Sequence, residues 1–363
     1  YISIPVASVG RITEPWLAEE LIANGRTDIC MIGRANLCDS AFAQKAETGK
    51  EADIRPCIGC LRCLNGIMFG KRIACTVNPS LEPENEDTVT QAETKKNVLV
   101  IGAGPAGMEA AYIAAKRGHH VVLCEKEEEP GGQLRIAAVP IAKQDLAKVV
   151  KYMSLRLQKA GVEIRYSCTV TGEMLAQEFN GWEVIAGTGA FPAVIEPFTV
   201  FKQWMTADDI LAGRAFPGRK TVVLGGGSVG CETADYLAPL IDDLFPRNRE
   251  ITLLEMTDHI MPGETGPGRS LLVQRMRKKG VRMICGAKVE RVDEECIYYR
   301  KDGEEYCIAD ADTLVFAIGY RKDASVEEML KASHNTYDMI GDADTVGNLK
   351  SAVSQGYEVA RRI

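Results

Sequence analysis

A glycine pattern that occurs twice constrains this chain more than any other feature. In "NVLVIGAGPAGMEAAYIAAKRGHHVVLCEK" an apolar strand runs into Gly102-x-Gly104-x-x-Gly107, an alanine-rich helix, a second strand and Glu125. In "KTVVLGGGSVGCETADYLAPLIDDLFPRNREITLLEM" the same order gives Gly225, Gly227, Gly230 and, after the next strand, Glu255. A lone GxGxxG says little; between an apolar strand and a helix it says more. There the first glycine allows the tight turn, the second lets backbone approach a pyrophosphate at the helix N-terminus, and the third permits close helix–strand packing. Two such units predict an α/β chain with two Rossmann-like domains and two dinucleotides. A glycine-rich turn before a packed helix is the plain alternative at each.

The acid that ends each second strand is placed to accept hydrogen bonds from a ribose. At Glu255 it would bond a free 2′-hydroxyl and repel a 2′-phosphate, which favours NADH over NADPH. Arg269 could instead contribute to a phosphate pocket, and Glu255 could be only a solvated strand-end acid. Pro239 and Pro246 fall inside or after the longer second helix. His119 and His120 read as solvated turn residues, Cys124 as facing the sheet core. Residues 182–189 and 314–319 read as short buried strands where the chain passes between the two domains. Near the C-terminus Gly341-Asp342 follows a strand and precedes a helix opening near Leu349; the carboxylate could take hydrogen bonds from a polyol chain. Asp344 is its rival there, and either acid could simply cap the helix.

Four of the twelve cysteines, Cys57, Cys60, Cys63 and Cys75, fall within nineteen positions. A C-x2-C-x2-C run with a fourth cysteine a loop away lets a short backbone wrap an iron–sulfur cube. A zinc site, which usually pairs two C-x2-C knuckles, is the alternative. Gly59, Arg62 and Lys71 make the segment a polar loop, against a set of buried structural thiols. Ahead of it, residues 1–56 read as two βα units, with strands at 4–9 and 28–32 and helices at 14–24 and 41–49. Each strand leads into Gly-Arg, Gly10-Arg11 and Gly33-Arg34, a phosphate seat of the kind built after the seventh and eighth strands of a (β/α)8 barrel. Glycines that merely cap two strands are equally compatible. Two βα units cannot close a sheet, and a chain opening at Tyr1 in a strand reads as a fragment. Residues 78–96, with Pro79, Glu82, Pro83, Glu84, Glu86, Asp87 and Glu93, read as an acidic linker.

"SVGRI", "DICMIGRANLCDSAFAQKAETGK", "IRPCIGCLRCL" and "CTVNP" together resemble the barrel end and cluster loop of the NADH:flavin oxidoreductases of old yellow enzyme type. The similarity is to the multi-domain members, such as 2,4-dienoyl-CoA reductase, enoate reductase, bile-acid oxidoreductase and trimethylamine dehydrogenase types. It implies FMN phosphate at Gly10, Arg11, Gly33 and Arg34, with a [4Fe-4S] cluster on Cys57, Cys60, Cys63 and Cys75. It also implies FAD at the first fingerprint, with Gly132 and Gln133 against the flavin and Asp342 on the ribityl chain, and NADH at the second. Two residues separate the second and third cysteines, where the dienoyl-CoA reductase pattern has three and the amine dehydrogenase two. The implied architecture is the end of a flavin barrel (1–56), the cluster loop and linker (57–96), an FAD domain (97–215 and 314–363) and an inserted NAD(P)H domain (216–313).

Such a cofactor set would carry electrons from NADH through FAD and the cluster to FMN, to reduce an activated C=C bond of an enoyl-CoA, enoate or enone. An amine dehydrogenase donating to an electron-transfer flavoprotein, or an electron-transfer module for a separate barrel, are the alternatives. The substrate-binding loops and proton donor would lie in barrel strands outside this sequence, so no catalytic residue is named. The expected partners are a small-molecule substrate and the remainder of the barrel, and a homo-oligomer is compatible. A net charge of −7 argues against nucleic acid. No run of about eighteen apolar residues suggests a membrane span. The many thiols suggest a reducing, cytoplasmic setting.

Overall fold

The computed structural model describes residues 3–81, 89–239, 249–263 and 267–363. Tyr1, Glu82, Pro83, Glu84, Glu86, Asp87 and Pro246 lie outside the described residues. The chain divides into two compact units, one of residues 1–135, 145–189 and 322–363, the other of 136–144 and 190–321. Among the described residues no helix is long and apolar enough to cross a membrane.

In the first unit five parallel strands lie in the order Tyr337–Met339, Glu183–Ala186, Asn97–Ile101, His120–Cys124, Glu163–Arg165. Side chains alternate between faces along each strand, and parallel strands need cover on both. Val98, Val100, Val121 and Leu123 accordingly join one core, with Ala106, Ala110, Met153, Leu157 and Ala352 from three helices. Leu99, Ile101, Val122 and Cys124 join another on the opposite face, with Leu175 and Leu330. Cys124 thus faces the core as read from the sequence. The helix Pro105–Lys116 is held especially close to Leu349–Arg362, because a Cβ at Gly356 would stand 2.2 Å from the carbonyl oxygen of Ala106.

The second unit repeats the plan with strands Arg282–Ile284, Glu250–Leu254, Lys220–Leu224, Thr313–Phe316 and Trp204–Thr206, all parallel. One of its faces is covered by helices, the other by a three-stranded antiparallel sheet, Lys288–Val292, Ile297–Lys301 and Glu304–Ile308, which contributes Ile297 and Tyr299 to the core.

Several local readings change. Trp204–Thr206 and residues 314–316, assigned from sequence to the FAD domain, pair into the second sheet, so the chain passes between units near 190 and 322. His119 is 6% exposed rather than solvated, and its Nδ1 accepts from Lys96 N at 3.0 Å. His120 does stay exposed, edge-on to Trp182. A short helix, Arg34–Cys38, precedes the expected one, which runs Phe42–Glu47. Asn78, counted with the linker, is buried and bonded. Within the linker Ala92 N donates to Arg117 O (2.9 Å) and Gln91 Nε2 to Lys116 O (2.8 Å), which clips residues 91–92 to the end of the helix Pro105–Lys116.

Candidate functional site: two nucleotide cradles and a cysteine pocket

The two fingerprints fold into the same hydrogen-bonded cradle. Gly102 N donates to Cys124 O (2.8 Å) and Gly225 N to Leu254 O (2.9 Å), joining each turn to the neighbouring strand. Both glycines have positive φ, 98° and 108°, and a Cβ on either would meet a crossover-strand carbonyl, Gly187 O at 2.6 Å or Ala317 O at 2.4 Å. A Cβ at Gly107 would lie 1.9 Å from Gly102 O, and one at Gly230 1.8 Å from Gly225 O. By contrast nothing stands within 4 Å of a Cβ at Gly104 or Gly227. The middle glycines therefore border open space at the N-terminus of a helix, where amide N–H groups and the helix dipole favour an anion.

The strand-end acids close the cradles from the side. Glu125 is 6% exposed and accepts from Ala103 N (2.6 Å) and Glu127 N (3.0 Å). Glu255, 7% exposed, accepts from Gly226 N (2.6 Å), Thr257 N (2.7 Å) and Thr257 Oγ1 (2.8 Å). Neither is simply a solvated strand-end acid, since each is buried and fixed to its own glycine turn. A returning loop completes each cradle, by Gly131 N to Ala103 O (2.8 Å) in one and Met261 N to Gly226 O (2.8 Å) in the other. Met261, with φ 52°, takes the role of Gly131, which its residue type did not reveal.

Further walls surround the first cradle. Gly132 packs over Gly104, its would-be Cβ 3.3 Å from that Cα, and Gln133 opens the short helix Gln133–Ala137. Gly341 N donates to Gln355 Oε1 (2.6 Å) and has φ 62°, with Asp342 next to it accepting from Gly347 N (2.9 Å). Asn348 caps the C-terminal helix, with Ser351 completing a capping box, so neither Asp342 nor Asp344 has that task.

At the other end of the first unit, Ala7–Val9 and Ile29–Met31 pair in parallel, which sets Gly10 and Gly33 at neighbouring strand ends as expected. Arg11 is turned elsewhere: its guanidinium bonds Asp145 Oδ2 (2.5 Å) and lies against Gly59 of the cysteine loop. Burial alone would lift the Asp145 carboxyl, but hydrogen bonds from Lys148 and Arg11 hold it below the usual carboxylate range. Arg34 lines the cysteine pocket.

That pocket brings all four predicted cysteines together, with Arg34, Leu37, Ile58, Thr76 and Val77 among its walls. Gly59 and Leu61 both have left-handed φ, 65° and 61°, which folds the short run around the cavity. Backbone amides meet the sulfurs, Gly59 at Cys57, Leu64 at Cys63, and Val77 and Asn78 at Cys75. Thr76 Oγ1 stands 3.1 Å from Cys60 Sγ. Burial raises the Cys57 and Cys63 thiols. Cys75 is lowered to about 6, first by a side-chain hydrogen bond with Cys38 and, against burial, by the two amides. Among the described residues no three His, Cys, Asp or Glu side chains converge on a single ion position. Four thiols ringing one cavity, with amide dipoles aimed at them, fit a multi-iron cluster in which each thiolate takes its own iron.

The sequence missed the residues that clamp this loop. Asp39 accepts from Arg55 N (2.8 Å) and Lys45 Nζ (2.5 Å), Asn78 Nδ2 donates to Leu37 O (3.2 Å), and Arg55 Nη1 donates to Asn78 Oδ1. Only the proximity of Asp39 and Asn78 to the Gly-Arg and cysteine motifs could have suggested them.

Residues 95–344 match the pyridine nucleotide-disulphide oxidoreductase family. The chain belongs to that family. Across its whole length it is 36% identical to the NADH oxidase of Thermoanaerobacter brockii, covering 56% of that protein. Against the bilirubin reductase of Mediterraneibacter gnavus it is 34% identical over 99% of the chain and 55% of the relative. Among solved structures, a 2-naphthoyl-CoA reductase in complex with 2-naphthoyl-CoA superposes with TM-score 0.92 at 26% identity, covering all of this chain and 54% of that one. The resemblance to multi-domain oxidoreductases of old yellow enzyme type is borne out by these relatives. The pyridine nucleotide-disulphide oxidoreductase chain spans about half the length of the curated relatives it matches.

Proposed function

We propose that this chain is the dinucleotide and cluster part of an NADH-dependent flavin oxidoreductase that reduces an activated C=C bond, of the enoyl-CoA, enoate or enone class. The observation that carries the reading is a shared core. Cys57, Ile58 and Cys75 pack against the same hydrophobic cluster as Ala106, Ala110 and Ile113 of the first fingerprint helix. The cysteine pocket and the first cradle therefore belong to one compact unit, a short route for electrons. The names of the relatives, an NADH oxidase and two reductases, support the direction of flow.

In this reading the first cradle, Gly102, Gly104, Gly107 and Glu125 with Gly132, Gln133, Gly341 and Asp342, holds FAD. The second, Gly225, Gly227, Gly230 and Glu255, holds NADH. Cys57, Cys60, Cys63 and Cys75 hold a [4Fe-4S] cluster, and Gly10, Gly33 and Arg34 face the phosphate of FMN. When bound, these groups supply hydride transfer and single-electron transfer between a nicotinamide and an alkene. The protein seats pyrophosphates on bare backbone, fixes each ribose-facing carboxylate by amide bonds, and keeps the cysteine sulfurs in reach of one another. Glu255, anionic beside the second turn, discriminates against a 2′-phosphate.

The remainder of a flavin barrel is the proposed neighbour of the two-stranded sheet. Val9, Ile29 and Met31 are 72%, 54% and 54% exposed, and two parallel strands do not form a stable sheet alone. Anaerobic titration with NADH, following flavin absorbance and cluster signal together, tests the proposal. Flavin bleaching followed by a reduced-cluster signal is the expected outcome, with NADPH at least tenfold less effective. Bleaching with no change at the cluster would refute the electron route.

A further inference from the structure

Behind the cysteine pocket stands a cation without a counter-charge. Arg55 lies two residues before Cys57, and its backbone amide is tied to Asp39 Oδ2 at 2.8 Å. Its side chain reaches the other flank of the loop, where Nη1 donates to Asn78 Oδ1. Asn78 is buried, follows the pocket residue Val77, and donates through Nδ2 to the carbonyl of Leu37, another pocket residue, at 3.2 Å. The guanidinium therefore bridges the two segments that carry Cys57 and Cys75. Its Nε is buried with no hydrogen-bond partner, and among the described residues it forms no ion pair. The carboxylates around it are already taken. Asp39 holds Lys45 Nζ at 2.5 Å, and Glu109 holds both fork nitrogens of Arg156 at 2.9 and 3.2 Å. Arg55 and Arg156 share the Tyr152 ring, at 5.9 and 5.1 Å from its centroid, so two guanidiniums are grouped around one carboxylate.

A guanidinium stays charged at any working pH, and a charge taken out of water is costly unless an opposite charge meets it. Four thiolates outweigh the charge of an iron–sulfur core, so a loaded pocket is anionic and gains a further negative charge on reduction. We propose that Arg55 is a positioning residue whose fixed guanidinium serves as the counter-charge of the cluster and raises its reduction potential. The inference rests on the cluster reading above. Arg55 favours the more negative, reduced state, and away from water that attraction is weakly screened.

The test uses the full chain purified anaerobically, unsubstituted and as Arg55→Lys, Arg55→Gln and Arg55→Met. Iron and sulfide content and an electron-spin-resonance redox titration are measured for each, at about 0.05 M and about 0.5 M salt. Lysine keeps the charge without the fork, glutamine keeps a donor without the charge, and methionine keeps neither. The reduction equilibrium should fall about threefold to tenfold in the glutamine and methionine forms, equal to about 28–59 mV at 59 mV per tenfold for one electron. Lysine should recover most of it, and the fall should persist at the higher salt. Loss of iron from the glutamine and methionine forms, with iron kept by lysine, would also support the proposal, since the charge would then be needed to hold the anion. Full iron with an unmoved potential in Arg55→Gln and Arg55→Met would overturn it and leave the cluster reading intact. A lysine form shifted as far as glutamine, a shift abolished by salt, or loss of iron from all three variants would overturn it in favour of packing or surface effects. An unsubstituted protein without iron and sulfide would remove both readings together.

Discussion

The two nucleotide cradles share one backbone plan and differ in how they are enclosed. In each, a strand carbonyl receives the first glycine's amide, a buried glutamate receives the next amide, and a returning loop bonds the turn. Around the first, Gly132 packs on Gly104, Gly341 stands 2.9 Å by its would-be Cβ from that of Ala106, and the C-terminal helix lies on the fingerprint helix at Gly356. The second has a three-stranded sheet on the far face of its own sheet, and the helix Pro267–Lys278 packs on its fingerprint helix through Arg275 and Asp235, but no glycine loop packs on Gly227 among the described residues. The plan sets which chemical class is bound; the added walls suit a cofactor that stays, and their absence one that leaves each turnover.

The largest expected effect comes from the third glycines. Gly107→Ala and Gly230→Ala each drive a Cβ to within 2 Å of a backbone oxygen that cannot yield, so each should lose more than about 4 kcal/mol of local stability. The comparison sharpens in the cofactors: Gly107→Ala should yield protein without FAD, and Gly230→Ala protein that retains FAD but is not reduced by NADH. FAD lost from both, or from neither, would break the assignment of the two cradles.

Next comes the ion pair behind the first helix. Glu109 is 1% exposed and bonds Arg156 through both nitrogens of its fork, at 2.9 and 3.2 Å, while Arg156 lies 3.6 Å over the Tyr112 ring. Glu109→Gln leaves a buried guanidinium without its counter-charge and should lower stability by about 3 kcal/mol in chemical denaturation, with NADH affinity unchanged. A loss below about 1 kcal/mol would show that the first cradle is less firmly backed than the packing indicates.

Smaller is the effect of the middle glycines, whose φ values of −72° and −69° any residue adopts. Gly104→Ala and Gly227→Ala should leave unfolding of the ligand-free protein within about 0.5 kcal/mol of the parent. Each should weaken its own nucleotide about tenfold or more, because the methyl group enters the space kept for a pyrophosphate. Equal stability with undiminished binding would show that the open space is not the phosphate seat. Smallest is Glu255→Gln, which removes the charge and, having one acceptor oxygen, keeps the bonds from Thr257 or the bond from Gly226 but not both. The ratio of kcat/KM for NADH over NADPH should fall about tenfold, and an unchanged ratio would assign the preference elsewhere.

Much of this was legible because the governing constraints are local. The third glycine of each fingerprint answers to a clash with the first, five residues back, and the second to open space, so spacing alone locates them. The four cysteines share one loop, and the C-terminal helix opens at Leu349 as its pattern indicated. What escaped depends on partners distant in sequence. Trp204–Thr206 and Thr313–Phe316 are apolar strands that read alike in either sheet, and only pairing with Lys220–Leu224 and with each other decides between them. The five residues of Arg34–Cys38 are too few to show a helical period. Arg11 looked like a phosphate ligand because nothing near it in sequence announces Asp145, and His119 looked solvated because its partner, Lys96 N, belongs to another segment.

The account stands or falls most directly on the cofactors of anaerobically purified protein, counted per chain as iron, acid-labile sulfide, zinc, FAD and FMN. About four irons with about four sulfides and one FAD is the expected result, with FMN retained only when the rest of a barrel is present. Zinc without sulfide would contradict the account and leave a two-nucleotide protein built around a structural metal.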